Sequence, residues 1–118
     1  MKENYQNLAY QGIFPTISPD TYLAETAVII GDVHIGAESS IWHNVTIRGD
    51  VNYIRIGERT NIQDGAVVHV SRVEGGQTII GSQITIGHLA LIHACEIHDN
   101  AFVGMKAMVM DKAIIEPF

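Results

Sequence analysis

The chain has 118 residues and a net charge of −6, so it offers no basic stripe for a phosphate backbone, which argues against a nucleic-acid partner. Hydrophobic residues reach 47% and charged ones only 17%, with Ile, Val and Ala each outnumbering Leu, a composition of strands rather than helices. A single domain of this length, 1–118, has little surface to bury alone, which favours assembly into an oligomer.

The N-terminal MKENYQNLAY has no apolar signal core, and no run approaches the roughly 18 apolar residues of a membrane span. From Leu23 onward, aliphatic residues recur every six positions, at Ile29, Ile35, Ile41 and Ile47, then Ile56, Ile62 and Val68, then Ile80, Ile86 and Ile92. The register slips by one residue and resumes at Ile97, Val103, Val109 and Ile115. Two positions before most anchors stands a small or β-branched residue, such as Ala27, Ala66, Thr78, Ala90 or Cys95.

A period of six is neither the 3.6 of a helix nor the 2 of a strand, but it is the repeat of a hexapeptide β-helix. Three hexapeptides close one triangular coil, with the anchor pointing inward, the small residue beside it, and glycines allowing the turn between faces. The fold expected is all-β, a parallel β-helix of about five coils stacked about 4.8 Å apart, regular from about residue 21 to 115. An ordinary β-sandwich is the alternative, but turns every six residues come too close together for it. Two interruptions break the rhythm: three extra residues between Ile47 and Ile56, and SRVEGGQ at 71–77, which reads as a polar, glycine-paired loop projecting from the prism.

If that loop leaves the order of faces unchanged, Ile47, Val68 and Ile92 share one face in successive coils. Arg48, His69 and His93, each following one of these anchors, then form a vertical outward stack. Asp64 and His88 stack likewise at the neighbouring corner, with Gln63 beside them. Two imidazoles one coil apart satisfy the reach of one zinc ion, with nitrogen ligands about 2.0 to 2.1 Å from it. His88 lies around a corner, where outward side chains diverge, so it reaches an ion held by a neighbouring subunit rather than its own. A three-fold trimer would bring His88 of one subunit against His69 and His93 of the next. Three neutral imidazoles with an open fourth position describe a catalytic rather than a structural zinc site, and the same donors accept iron, cobalt or nickel. The bland alternative is three solvated surface histidines, which is how His34, His43 and His98 read.

At IWHNVTIRGDVNYIRIGERTNIQDGAVVHV and IGHLALIHACEIHDNAFVGM the chain resembles the gamma-class carbonic anhydrases and their homologues among hexapeptide-repeat proteins, over nearly its whole length. The segments carrying the likeness are the RGD of Arg48 to Asp50, the NIQDG of Asn61 to Gly65, and the Gly87-His88 pair followed by His93. The resemblance implies a left-handed β-helix, an exception to the usual right-handed crossover, assembled as a homotrimer. It maps the zinc ligands onto His69, His88 and His93. It further implies that Arg48 and Asp50 pair at the subunit interface, that Gln63 orients the metal-bound hydroxide, and that Asp64 belongs to the supporting network. The implied reaction is the reversible hydration of carbon dioxide to bicarbonate.

The chain departs from the fully active pattern in ways that predict slow proton export. Val51 follows Asp50 where an acid is usual, and Glu74 is the only acid in the loop after His69. His98 and Lys106 replace residues commonly glycine in relatives, so altered turns are expected there. Relatives continue beyond the position of Phe118 with further coils and a C-terminal helix, so the fold is expected without that helix. Two readings compete with the enzyme: a noncatalytic metal-stabilised trimeric assembly protein, and an acyl-CoA transferase or thioesterase, for which no coenzyme loop is visible. Trp42 reads as a packing or interface aromatic, Met105, Met108 and Met110 as ordinary packing with exposed or interface surface as the alternative, and Cys95 as an inward packing residue. Cys95 is the only cysteine, which rules out an internal disulfide and fits a reducing compartment, the cytoplasm.

Overall fold

A hexapeptide with one large aliphatic side chain has a single way to bury it when stacked: every sixth residue must point down the same axis. The computed structural model describes residues 6–118; the first five, part of the stretch read as lacking a signal core, lie outside the described residues. Among the described residues the elements in chain order are β1 (Thr16–Ile17), β2 (Tyr22–Leu23), β3 (Val28–Ile35), β4 (Ser40–Ile41), β5 (Thr46–Ile56), β6 (Asn61–Ile62) and β7 (Val67–His69). They continue as β8 (Thr78–Ile80), β9 (Thr85–Ile86), β10 (Leu91–His93), β11 (Glu96–Ile97), β12 (Phe102–Val103), β13 (Met108–Val109) and β14 (Ile114–Ile115). No helix occurs among them, so none is long and apolar enough to cross a membrane.

The strands pair in parallel, coil on coil, and the anchors fall into three vertical columns. Ile29, Ile47, Val68, Ile92 and Val109 line the first face. Ile17, Ile35, Ile56, Ile80, Ile97 and Ile115 line the second. Leu23, Ile41, Ile62, Ile86 and Val103 line the third. The expected parallel β-helix is therefore present, with five coils and the opening rung of a sixth, and its repeat begins one anchor earlier than Leu23, at Ile17. The face order expected across the 71–77 loop holds, because Ile80 stands on Ile56.

The column of isoleucines is the core: Ile29, Ile41, Ile47, Ile62, Ile86 and Ile92 are fully buried, each contributing roughly 1.5–3 kcal/mol of apolar burial. Hydroxyls that share the narrow interior are satisfied by bridging coils. Ser39 Oγ donates to the Gly57 carbonyl at 2.8 Å and accepts the Thr60 N–H at 3.1 Å. Thr78 Oγ1 donates to the His69 carbonyl at 2.6 Å and accepts the Ala94 N–H at 2.8 Å, tying the two histidine-bearing coils together from inside.

Glycine turns a corner as expected at Gly65, with φ 76° between the third and first faces, but serves differently between the second and third. The left-handed residue between the second and third faces is Glu38, Arg59, Gln83 or Asn100, with φ from 51° to 67°, and at His98's corner it is Asn100 that turns the chain. Gly36, Gly57 and Gly81 serve instead as close-approach positions: a Cβ on Gly57 would lie 2.7 Å from the Gly81 carbonyl. His98 takes the next place in that column and keeps the ladder bond, its N–H donating to the Ile115 carbonyl at 2.9 Å, so its departure from glycine leaves the coil intact. Lys106 likewise adopts φ 62° at its own corner, and its N–H still reaches the His88 carbonyl at 2.9 Å.

The two interruptions occupy the same corner. The register of β3 on β5 jumps from Gly31–Gly49 to Val33–Ile54, so Asp50 to Tyr53 bulge out between the first and second faces. One coil above, the 71–77 loop is closed by the Ser71 N–H to the Gly76 carbonyl at 2.8 Å, where a Cβ on Gly76 would meet Ser71 O at 2.4 Å. Asn52 of the bulge donates to the Ser71 carbonyl at 3.1 Å and to that of Val73 at 3.3 Å, so one insertion buttresses the other. The methionines read as packing residues are corrected here: Met105, Met108 and Met110 point outward and are 71%, 66% and 45% exposed, because none of them occupies an anchor position.

Candidate metal centre

His69 and His93 are brought together by the register of β7 on β10, which sets the two residues directly opposite one another. Each follows a buried anchor, Val68 or Ile92, and the alternation of a strand therefore turns each imidazole outward. His69 Nδ1 and His93 Nε2 face each other at 3.3 Å, with ring planes inclined by 61°.

The outer nitrogen of each ring meets a carboxylate. His69 Nε2 lies 3.0 Å from Asp50 Oδ1, and His93 Nδ1 lies 2.7 Å from Asp111 Oδ1. Burial alone would raise the Asp50 carboxyl, but the Val51 N–H, His69 and Arg48 outweigh it and hold it below the usual carboxylate range. A hydrogen bond from Ser71, then one from His93, does the same for Asp111. Ionised carboxylates only accept, so His69 Nε2–H and His93 Nδ1–H are the donors. In the neutral rings that tautomer leaves lone pairs on the two inner nitrogens, pointing into one gap.

Such a pair fits a metal ion. Nitrogens about 2.0–2.1 Å from a tetrahedral zinc stand about 3.3 Å apart, the separation found between His69 Nδ1 and His93 Nε2. A carboxylate behind each ligating imidazole is the usual support for such a ligand.

The remaining site residues stand elsewhere. His88 sits at the corner between the third and first faces with Nδ1 3.3 Å from Asp64 Oδ1, and both side chains are about half exposed. Among the described residues no three His, Cys, Asp or Glu side chains are gathered to hold a metal ion. Gln63 Nε2 donates to Asn61 Oδ1 at 3.0 Å, and Asn61 Nδ2 donates to Thr85 Oγ1 at 3.0 Å, so the chain of amides leaves Gln63 Oε1 as an acceptor. Ser40, Trp42, Asn61, Gln63, Asp64 and His88 line one open groove. Trp42 is a packing aromatic, its ring 4.9 Å from that of Tyr22 and its indole N–H on Ser40 Oγ at 3.0 Å.

Arg48 and Asp50 form an ion pair within the chain. Cys95 is buried at the inward position expected, and burial pushes its thiol up to about 11. His98 pairs with Glu96 at 3.3 Å and His34 lies 3.9 Å from Asp32, both away from the centre. Asp111 and Ser71 were absent from the sequence reading. Asp111 lies two residues after the anchor Val109, one coil above His93, and only the stacking of coils makes it a neighbour; no short motif contains both.

No family model matches the chain. Gamma carbonic anhydrase 2, mitochondrial, of Arabidopsis thaliana is 46% identical over 106 residues, covering 86% of this chain and 38% of that protein. A carbonic anhydrase of Geobacillus kaustophilus is 41% identical over 106 residues, covering 90% of this chain and 57% of its own length. The chain belongs to the gamma-class carbonic anhydrase-like hexapeptide-repeat family. Its fold matches the crystal structure of a hexapeptide transferase family protein from Anaplasma phagocytophilum with a TM-score of 0.91 at 46% identity, covering 96% of this chain and 65% of that one. The chain thus spans between about two fifths and two thirds of the length of these members of the family.

Proposed function

We propose that this carbonic anhydrase-like chain assembles as a homotrimer that binds zinc between subunits and catalyses the reversible hydration of carbon dioxide to bicarbonate. The observation that carries the reading is the His69–His93 pair, whose inner nitrogens stand 3.3 Å apart while the outer ones are engaged by Asp50 and Asp111. His69 and His93 would hold the ion from one subunit and His88 from the next, with Asp64 beside Nδ1 of the His88 ring and Nε2 left as the donor. Iron, cobalt or nickel would satisfy the same donors. The bound ion supplies the polarisation that makes water a nucleophile near neutral pH.

The chain's own residues supply the rest. Gln63, its amide turned by Asn61, offers Oε1 to accept a hydrogen bond from the attacking water and so aims the oxygen lone pair at the carbon of carbon dioxide. Asp64, with Oδ1 3.3 Å from His88 Nδ1, would steady the neighbouring imidazole electrostatically. Arg48 neutralises Asp50, keeping that carboxylate an acceptor for His69 rather than a competitor for the ion. The proton released on each turnover must leave through solvent, because Val51 packs against the core where an acid would serve as shuttle. Turnover is accordingly expected to rise with the concentration of a small buffer such as imidazole.

Metal analysis with stopped-flow hydration on the wild type and on His93→Ala tests the reading. Zinc near one per chain, a trimeric mass and buffer-dependent hydration lost in His93→Ala support it. Wild-type protein that trimerises without metal defeats the zinc site. Bound metal without hydration leaves the noncatalytic assembly reading in its place.

A further inference from the structure

The carboxylate behind His93 is held by a side chain from the corner loop, and the three groups form a directed chain. Ser71 Oγ donates to Asp111 Oδ2 at 2.5 Å, and Asp111 Oδ1 accepts His93 Nδ1–H at 2.7 Å. The residues come from three different coils: stacking sets Asp111 beside His93, and the 71–77 loop brings Ser71 to Asp111. We propose that Asp111, steadied by Ser71, is a positioning residue for His93: it fixes the ring as the Nδ1–H tautomer and thereby presents Nε2 to the metal. This inference rests on the zinc reading of the His69–His93 pair.

Two features make the arrangement a device for orientation rather than an incidental surface contact. An Asp on a turn, with its side chain 43% exposed, has several rotamers open to it, and an isolated surface contact holds none of them firmly. The second bond, from Ser71, removes that freedom, since each oxygen of the carboxylate now has its own donor. Ser71 in turn is not free to follow Asp111. Its N–H is tied to the Gly76 carbonyl at 2.8 Å and its own carbonyl accepts from Asn52 at 3.1 Å, so the hydroxyl projects from a loop braced by the coil below.

The other half of the pair shows the same construction from different parts. Asp50, which faces His69, is gripped by Arg48 on one oxygen and by the Val51 N–H at 2.6 Å on the other. Each imidazole is therefore backed by a carboxylate with an independent anchor. The 71–77 loop, which interrupts the repeat at the cost of seven residues with no anchor, gains a role: it delivers the hydroxyl that fixes the second of the two ligands. Without Asp111, His93 Nδ1 has no partner that selects it over Nε2 as the protonated nitrogen. A ring protonated at Nε2 must exchange that proton before it binds an ion, which lowers affinity.

The test uses the full chain, 15N-labelled, as wild type, Asp111→Ala, Ser71→Ala and Ser71→Thr. Long-range 1H–15N correlation on metal-free protein reads the His93 tautomer, and competition against a chelator reads the zinc affinity. The wild type is expected as the Nδ1–H form. Asp111→Ala is expected to populate Nε2–H and to lose about 10- to 100-fold in zinc affinity, Ser71→Ala to lose about 3- to 10-fold, and Ser71→Thr to recover the wild-type value. A His93 already Nε2–H in the wild type overturns the proposal, as does a folded Asp111→Ala with either its tautomer unchanged or its affinity within about twofold. If Asp111→Ala does not fold, Ser71→Ala decides: affinity and tautomer equal to the wild type overturn the proposal. Should the wild type bind no zinc at all, the carbonic anhydrase reading falls, and the tautomer comparison alone decides the positioning role.

Discussion

Two corners of the prism carry histidines, and they are finished to different degrees. At the corner after the first face, His69 and His93 stand in register, each locked to a carboxylate that is itself held by further donors. At the corner before it, His88 has one carboxylate, Asp64, at 3.3 Å, half exposed like its partner and with nothing braced behind it. The first corner is organised within one chain; the second presents a single donor beside an open groove. Under the proposed reading, a site divided in this way would tie ion binding to assembly, since the braced half would supply two ligands and the open half the third.

The sharpest way to break the contrast is to remove a ligand from the finished corner. His93→Ala is expected to lower zinc affinity by well over about 100-fold, beyond what a supporting residue costs, in a titration against a chelator. Next in size is the internal tie between the two histidine coils. Thr78→Val removes both hydroxyl bonds and leaves the Ala94 N–H and the His69 carbonyl only their direct 3.2 Å contact, at a cost of roughly 1–2 kcal/mol in urea unfolding, whereas the solvent-facing Glu74→Gln should move stability by less than about 0.5 kcal/mol.

Alkaline pH probes the same inner layer through Cys95. Its thiol is raised by burial from 9.0 to about 11, so the unfolded chain loses the proton first as pH rises. The contribution is intact below pH 9 and is lost progressively between pH 9 and 11, by roughly 2–3 kcal/mol in total; Cys95→Ala should abolish that part of the pH dependence in parallel unfolding curves. The smallest effect belongs to the open corner, where Asp64→Asn is expected to weaken zinc about tenfold by loosening His88, with little change in unfolding. A larger loss there than from Asp50→Asn would reverse the contrast between the corners.

The repeat made the columns readable because a period of six admits one inward direction, and Ile47, Val68 and Ile92 could be placed on one face by counting. The same counting put His69 beside His93 and His88 around a corner. It gave no access to Ser71, whose place depends on how the 71–77 loop leaves the prism, and it passed over Asp111, which the stacking of Val109 on Ile92 brings beside His93. Nor did it reveal that Asn52 braces the 71–77 loop, since the three extra residues after Gly49 and the seven after Val70 look unrelated along the chain. The glycines misled in a more specific way. The expectation that glycines form the turns holds at Gly65, but between the second and third faces the positive φ falls on Arg59 and Gln83, and Gly57 and Gly81 are needed for the approach of backbones. Of the two readings open for Met105, Met108 and Met110, exposed surface holds over packing, because none of them falls on the six-residue count.

Mixing two defective chains tests the divided site most directly. His88→Ala keeps the His69–His93 pair and His93→Ala keeps His88, so each homotrimer lacks three-ligand sites while a mixed trimer restores one site where the two kinds of chain meet in the right order. Co-refolding the variants and titrating zinc against a chelator should recover tight binding at up to one ion per mixed trimer. If the mixture binds no more tightly than the two parents kept apart, the ion is not shared between chains and the account fails.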